Sequence, residues 1–139
     1  MICLVYISSA NYMINEREIV SIVNAARINN EKAGITGILL YNNGNFMQLI
    51  EGKDDVIKKL YDKISADPRH HTIKLLLREQ ITHRNFDGWQ MGYRNLNSLK
   101  KIAPEILNPF LEEELNFSIY KNNPYRALHF LEMFKKIII

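Results

Sequence analysis

The chain has 139 residues, of which 47% are hydrophobic, and this length suits one domain with its own buried core. The net charge is +3, but the Lys and Arg residues are scattered along the sequence and give little support for a nucleic-acid partner. The single cysteine, Cys3, cannot form an internal disulfide, and no apolar run approaches the roughly 18 residues that span a bilayer. We therefore expect a cytoplasmic protein without a membrane partner.

The first predicted strand covers residues 2–7, in which Ile2, Leu4 and Tyr6 share one face by the two-residue period of a strand. A buried tyrosine usually needs a hydrogen-bond partner, so Tyr6 is interpreted as a core residue with a polar end. A helix is predicted from Glu16 to about Asn29, and residues 29–34 are expected to end it in a loop.

Residues 35–52 have the pattern of a complete β-hairpin, with two apolar runs on either side of an Asn-Gly turn at residues 42–45. In the second run, Phe46, Gln48 and Ile50 fall on one face. Gln48 is unusual there, because a buried amide group left unpaired costs about 1 to 3 kcal/mol. From the pattern alone, a core glutamine bonded to a hydroxyl is favoured over a ligand site.

A second helix is predicted from Asp54 or Asp55 to about residue 66, followed by a loop that contains His70 and His71. Two further strands follow in the prediction. Residues 73–81 would form the fourth strand with Leu75 and Leu77 on one face, and residues 89–93 the fifth with Trp89, Met91 and Tyr93 on one face.

The remaining residues have a helical pattern that Pro104 and Pro109 interrupt and that resumes after Pro124. The order strand, helix, strand, strand, helix, strand predicts an α+β fold of the ferredoxin-like βαββαβ type, with a fifth strand and a helical tail. That fold hosts many functions and does not identify one.

Five short motifs occur in the order and spacing of a known family. They are Tyr6 with Ser8-Ser9, Asn29-Asn30 with Gly34-Ile35-Thr36-Gly37, Phe46-Met47-Gln48 with Glu51-Gly52, Asp67-Pro68-Arg69-His70, and Trp89-Gln90-Met91. With them the chain resembles the BLUF domains, the flavin-binding sensors of blue light, over about residues 1–95. The chain departs from many members at Lys63, where an arginine often contacts the flavin; lysine keeps a donor but lacks the planar fork of arginine.

The resemblance implies that a flavin ring lies between two helices on one sheet face. Residues 96–139 carry Leu128, Leu131 and Phe134 at helical spacing, and they are expected to form a helical cap of the same domain on the other face or to pack against another molecule. FAD is the usual form, and FMN or riboflavin are alternatives. The resemblance gives two sets of site residues. The cofactor-binding set is Ile22, Asn29, Asn30, Gln48, Lys63, Ile64, Asp67 and Arg69, and the photoactive set is Tyr6, Gln48, Trp89 and Met91.

The implied function is that of a blue-light photoreceptor that is not an enzyme. Tyr6 would give an electron and a proton to the excited flavin, and the Gln48 amide would rearrange its hydrogen bonds by rotation or tautomerisation. The orientation of that amide, and whether Trp89 or Met91 lies nearer the flavin, stay open at this point.

Signalling is expected to pass to a separate downstream protein or through a homo-oligomer, because the sequence contains no recognisable catalytic or DNA-binding domain. One hypothesis is that residues 97–139 transmit the light signal, with Phe110, Tyr120, Tyr125 and residues 135–139 as exposed contacts. The alternative is that they only cover the sheet.

Two other functions are compatible with the same fold. An acylphosphatase-like enzyme would need an arginine in the first strand-to-helix loop to hold a phosphate, whereas residues 7–14 contain no Arg, Lys or Gly. An interaction module without a cofactor would leave Tyr6, Asn30 and Gln48 unexplained as a set.

Overall fold

The computed structural model describes residues 1–102 and 113–135. In chain order the elements are β1 (Ile2–Ala10), α1 (Glu16–Ala33), β2 (Thr36–Asn42), β3 (Asn45–Gly52), α2 (Asp54–Ser65), β4 (His70–Gln80), β5 (Gly92–Asn95), α3 (Leu96–Ile102), a 3₁₀ helix (Phe117–Asn122) and α4 (Pro124–Met133). Within these residues, no helix is both long enough and apolar enough to cross a membrane.

The five strands form one sheet in the order β4-β1-β3-β2-β5. Strand β1 pairs antiparallel with β3 and β4, β2 pairs antiparallel with β3, and β5 lies parallel to β2 at the edge. The predicted ferredoxin-like α+β fold with a fifth strand is confirmed. Because β4 and β5 lie at opposite edges, residues 81–91 must cross the sheet between them.

Side chains alternate between the two sheet faces and form two separate clusters. On one face, α1 and α2 pack through Ile19, Val23 and Ile57 against Ile2, Leu4, Leu39 and Ile50. On the opposite face, the 3₁₀ helix and α4 pack through Phe117, Tyr120, Phe130, Leu131 and Phe134 against Val5, Ile38, Leu40, Met47 and Leu49. The described part of the C-terminal segment therefore caps the face that α1 and α2 leave open, as predicted.

The predicted hairpin is confirmed, with Asn42 opposite Asn45. Asn43 and Gly44 have φ angles of 51° and 83°, as a two-residue turn with two positive φ angles requires. This turn sets the register of β3 and directs Gln48 to the face that α1 and α2 cover.

The predicted end of α1 is wrong, because the helix continues past Asn29 to Ala33. Gly34 has the left-handed φ of 70° that ends a helix, and its N–H donates to the carbonyl of Asn30. Asn29 and Asn30 therefore project from helical positions and not from a loop.

Strand β4 begins earlier than predicted, since His70 and His71 pair with Ala10 and Ser9 of β1. The predicted common face of Leu75 and Leu77 is also wrong. A register shift between Val5 and Tyr6 breaks the alternation, so Leu77 packs under the cap while Leu75 is 37% exposed on the other face.

Candidate functional site

A cavity of about 280 Å³ lies between α1 and α2 above strands β1 and β3. Ten of the eleven predicted site residues line it: Tyr6, Ile22, Asn29, Asn30, Gln48, Lys63, Ile64, Asp67, Arg69 and Met91. Most of the wall is apolar, and a few polar groups converge on it, which is the usual composition of a small-molecule site. Ile22 of α1 and Ile64 of α2 contribute to the wall from the two helices.

Three side chains form a continuous chain of contacts at the sheet. The hydroxyl of Tyr6 donates to Oε1 of Gln48, and Nε2 of Gln48 donates to the sulfur of Met91 at 3.3 Å. Tyr6 and Gln48 are directly opposed across the β1–β3 pair, so the strand register alone brings them together. All three residues are at most 8% exposed.

Tyr6 lies in an apolar, aromatic environment. Its ring makes edge-on contacts with Tyr61 at 5.8 Å and with His70 at 6.4 Å between ring centroids. Burial, with smaller contributions from Tyr61 and Asp67, raises the pKa of Tyr6 well above its ordinary value. Tyr6 therefore keeps its proton at every physiological pH and acts as a hydrogen-bond donor to Gln48.

Helix α1 holds the backbone that carries Met91. Nδ2 of Asn30 donates to the carbonyl of Gln90 at 2.6 Å, and Nε of Arg27 donates to the carbonyl of Met91 at 2.8 Å. Asn30 is 3% exposed and also lines the cavity. A ligand that bonds the Asn30 amide would therefore act directly on the segment next to Met91.

Charged residues lie at the rim of the cavity beyond α2. The guanidinium of Arg69 donates from Nε to both oxygens of Asp67, at 3.0 and 3.1 Å, and these hydrogen bonds lower the pKa of Asp67 to about 2. Lys63 adds a second cation to the lining. Because Asp67 already pairs with Arg69, it is the positive charge of Lys63 that suits this rim to the anionic end of a ligand.

The Asp67–Arg69 pair predicts a pH dependence of stability. Because the fold lowers the pKa of Asp67 from 3.8, the pair contributes to the free energy of unfolding above that value, and the contribution is lost as the pH falls through about 2. Asp67→Asn should lower the free energy of unfolding, measured in urea at pH 6, by less than about 1 kcal/mol, because solvent screens exposed ion pairs. A difference between Asp67→Asn and wild type that does not shrink toward pH 2 would contradict this.

His70 is a lining residue that the sequence placed in a solvated loop. Its Nδ1 lies 2.8 Å from Oγ of Ser8, and its Nε2 lies 2.6 Å from the carbonyl of Ile64. It thereby joins β1 to the end of α2, beside the Tyr6 ring. Its place in the motif Asp67-Pro68-Arg69-His70 was the signal that could have identified it.

Trp89 is the one predicted site residue that does not line the cavity. The predicted common face of Trp89 and Met91 is wrong, because β5 begins only at Gly92 and residues 89–91 are not yet in a strand. Trp89 packs on the cap side against Phe86, with ring centroids 5.9 Å apart, whereas Met91 lies on the cavity side. Met91 is thus the nearer of the two to the site.

Residues 1–92 match the BLUF family, described as sensors of blue-light using FAD. This chain belongs to the BLUF family. It is 33% identical over 87 residues to the photoactivated adenylate cyclase subunit alpha of Euglena gracilis, covering 63% of this chain and 8% of the relative. It is 39% identical over 70 residues to the blue light- and temperature-regulated antirepressor BluF of Escherichia coli K12, covering 50% and 17%.

Among solved structures, the dark state of the BLUF protein BlrB superposes with a TM-score of 0.73 at 37% identity, covering 92% of this chain and 91% of that one. The matched region makes up only 8% to 17% of the two curated relatives. What this BLUF chain shares with them is the flavin-binding blue-light sensor domain, and its cofactor is FAD.

The residues around the cavity fit this cofactor. The apolar walls suit a flat ring system, and the buried amides of Asn30 and Gln48 can bond the donors and acceptors on its edge. Among residues 1–102 and 113–135, the only partner of the Gln48 Nε2 group is a sulfur, which is a weak acceptor, so this group can donate to a stronger acceptor. Lys63, which lies beside the Asp67–Arg69 pair in the lining, carries a charge of the sign that the phosphates of FAD require.

Proposed function

We propose that this BLUF domain signals blue light through a rearrangement of the hydrogen bonds that join Tyr6, Gln48 and Met91. The observation that carries the proposal is the continuous contact from the Tyr6 hydroxyl through the Gln48 amide to the Met91 sulfur, on the floor of the cavity. When bound, FAD supplies the absorption of blue light and an excited-state oxidant for a nearby tyrosine.

The two ends of the Gln48 amide have unequal neighbours, and this inequality makes the amide a switch. The Tyr6 hydroxyl can donate or accept, so it can bond either Oε1 or Nε2. The Met91 sulfur can only accept, so it bonds Nε2 and repels Oε1. A rotated amide would therefore keep a bond to Tyr6 but lose its bond to Met91, and Met91 would report the change.

The other lining residues divide into three groups in this proposal. Ile22 and Ile64 enclose the flavin ring from the two helices, and Asn30, with Asn29 at the rim, bonds its polar edge. Lys63, Asp67 and Arg69 act on the ribityl or phosphate end. The convergence of these side chains on one cavity supports the assignment.

Asn30→Ala tests the anchoring role. The variant loses the amide that bonds the flavin and the bond to the Gln90 carbonyl, so we expect flavin to dissociate at least about tenfold more readily, the equivalent of about 1.4 kcal/mol. The fraction of flavin released on dilution, measured by fluorescence, gives this change in dissociation. Asn24→Ala, on the exposed face of the same helix, is the control and should retain flavin as wild type does.

We further propose that residues 1–95 and 96–139 form one sensory domain with its cap, and that it acts on a separate protein or on another copy of itself in the cytoplasm. The chain would then carry no catalytic activity of its own. The names of the two curated relatives, a cyclase and an antirepressor, indicate that BLUF domains occur with different outputs. The acylphosphatase-like and cofactor-free alternatives have no support from the family match.

The cap is the proposed receiver of the signal. The expectation that Tyr120 is exposed is wrong: it is fully buried and bonds Glu114, whereas Tyr125 is 56% exposed and Met133 is 38% exposed on the outer side of α4. Phe110 and residues 136–139 lie outside the described residues. Tyr125 and Met133 are therefore the outward contacts that we propose for a partner.

Hydrogen exchange in the dark and under blue light tests the cap. If the cap receives the signal, amide protection in residues 117–133 should change on illumination, because the docking free energy of the cap differs between the two states of the switch. Met91→Leu serves as the comparison, since it keeps the volume but has no sulfur to accept from Gln48. If amide protection does not change while the spectral shift is normal, the cap only covers the sheet and does not receive the signal.

A further inference from the structure

The crossover between β4 and β5, residues 81–91, is fixed to the sheet by four polar side chains. Two of them belong to the crossover itself, one to the start of β2 and one to the end of β3. We call Thr36, Glu51, Arg84 and Asn85 the crossover clamp. None of them lines the flavin cavity. The crossover then continues through the fully buried Phe86 to Trp89 and finally to Met91.

Glu51 is the centre of the clamp and has no solvent-exposed surface. Its Oε1 accepts from the N–H of Phe86 at 2.7 Å and from the Thr36 hydroxyl at 3.0 Å. Its Oε2 accepts from the N–H and the Nδ2 of Asn85, at 2.9 and 3.2 Å. Burying a carboxylate is costly, and four donors at once offset that cost at this single position.

Arg84 extends the clamp to the neighbouring elements. One guanidinium nitrogen donates to the Thr36 hydroxyl at 3.0 Å and to the Glu51 carbonyl at 3.3 Å, and the other donates to the Gly34 carbonyl at 2.7 Å. The clamp thus joins the end of α1, the start of β2 and the end of β3 to the start of the crossover.

Backbone hydrogen bonds continue from the clamp toward the contact between Gln48 and Met91. The N–H of Trp89 donates to the carbonyl of Phe86 at 3.0 Å, and the N–H of Gly37 donates to the carbonyl of Trp89 at 2.9 Å. Met91 follows two residues later and contacts Gln48, which lies on β3 with Glu51. One strand therefore holds the start of the crossover through Glu51 and meets its end through Gln48.

We propose that Glu51 is a positioning residue of the photoswitch. By fixing the start of the crossover on β3, its carboxylate sets where the Met91 sulfur lies against the Gln48 amide. That position in turn sets the rate at which the light state reverts to the dark state. The proposal rests on the proposed function of the Tyr6–Gln48–Met91 contact, and no residue of the clamp needs to touch the flavin.

Glu51→Gln tests the proposal in the flavin-loaded full chain. Glutamine keeps the volume but replaces one acceptor oxygen with an amide nitrogen, which cannot accept from the donors around it. We expect flavin to stay bound and the emission of Trp89 to move to longer wavelength. The rate of dark recovery should change about fivefold, which corresponds to about 1 kcal/mol. Trp89 is the only tryptophan, so its emission reports the crossover directly.

Glu114→Gln is the matched control. Glu114 is also a buried carboxylate, 4% exposed, but it bonds Tyr120 and Arg126 of the cap and no residue of the clamp. It should lower the melting temperature without changing recovery or Trp89 emission. Glu51→Gln could lower the melting temperature while the rate of dark recovery stays within twofold of wild type and the Trp89 emission does not shift. In that case Glu51 is only structural and the proposal is wrong.

Arg84→Met keeps the test valid if Glu51→Gln does not fold. It removes three donor contacts of the clamp and leaves the buried carboxylate paired, so a smaller change of the same kind, about threefold in recovery, is expected. Wild-type recovery and Trp89 emission in this variant would overturn the proposal. A wild-type chain without a light response would instead refute the proposed function, while Trp89 emission would still test the clamp.

Discussion

Tyr6→Phe and Gln48→Leu are each expected to abolish the normal light response while leaving the fold and the bound flavin in place. Phenylalanine has no hydroxyl proton to give, and leucine has no amide to rearrange. Both changes roughly preserve volume, so the packing cost is small. Each leaves one buried partner unpaired, Gln48 Oε1 or the Tyr6 hydroxyl, which costs about 1 to 3 kcal/mol of stability.

The measurement is the light-minus-dark absorption spectrum of each variant after its flavin content has been matched to wild type. Tyr41→Phe is the control, because Tyr41 is a buried tyrosine on the same sheet face and does not line the cavity. It should respond as wild type does. A wild-type spectral shift and recovery in either Tyr6→Phe or Gln48→Leu would show that the switch lies elsewhere.

Gly37→Ala is expected to have the largest effect on stability. A Cβ at this position would lie 1.9 Å from the backbone oxygen of Leu49, and Gly37 is paired with Ile50 in the centre of the sheet. Strand β2 cannot move away without losing its pairing with β3, and β3 cannot move without disturbing the β1–β3 register that aligns Tyr6 with Gln48. We expect a loss of roughly 3 kcal/mol or more, a large part of the stability of a domain this size.

Gly44→Ala separates crowding from backbone strain. Gly44 has a φ of 83° in the hairpin turn, but an added Cβ would meet nothing within 4 Å. Alanine there should cost only about 1 to 2 kcal/mol, the price of a left-handed residue. Urea unfolding of both variants gives the comparison, and a Gly37→Ala protein as stable as Gly44→Ala would contradict the close approach of the two strands.

The central part of the site could be predicted from the sequence because local rules determine it. The Asn-Gly turn fixes the register of the hairpin, and the two-residue period then directs Gln48 to one face. The same period in β1 directs Tyr6 to that face. The pattern alone favoured a core glutamine bonded to a hydroxyl, and Gln48 does accept from the Tyr6 hydroxyl. Only the family motifs indicated a ligand as a further partner of the amide.

The errors arose where tertiary structure overrides a local period. Trp89 and Met91 are two residues apart, but the crossover passes around the sheet edge between them and they reach opposite faces. Leu75 and Leu77 are separated by a register shift in β4. Helix α1 continues through Asn29 and Asn30 because Gly34, and not either asparagine, adopts the left-handed conformation that ends it.

The clamp could not be foreseen from the sequence, since its four residues are brought together by strand pairing and by the crossover. Glu51 matched a family motif, but its position on the face opposite Gln48 gave no reason to expect buried hydrogen bonds to Asn85 and Phe86. Contacts between residues more than 30 positions apart depend on the topology of the whole sheet.

The most direct test of the account is the absorption spectrum of the purified chain, loaded with FAD, before and after blue light. We expect a flavin spectrum that moves to longer wavelength on illumination and returns in darkness, because the rearranged Gln48 amide changes the hydrogen bonds to the ring. A chain that stays colourless with excess FAD, or that binds FAD and shows no shift under blue light, would contradict it.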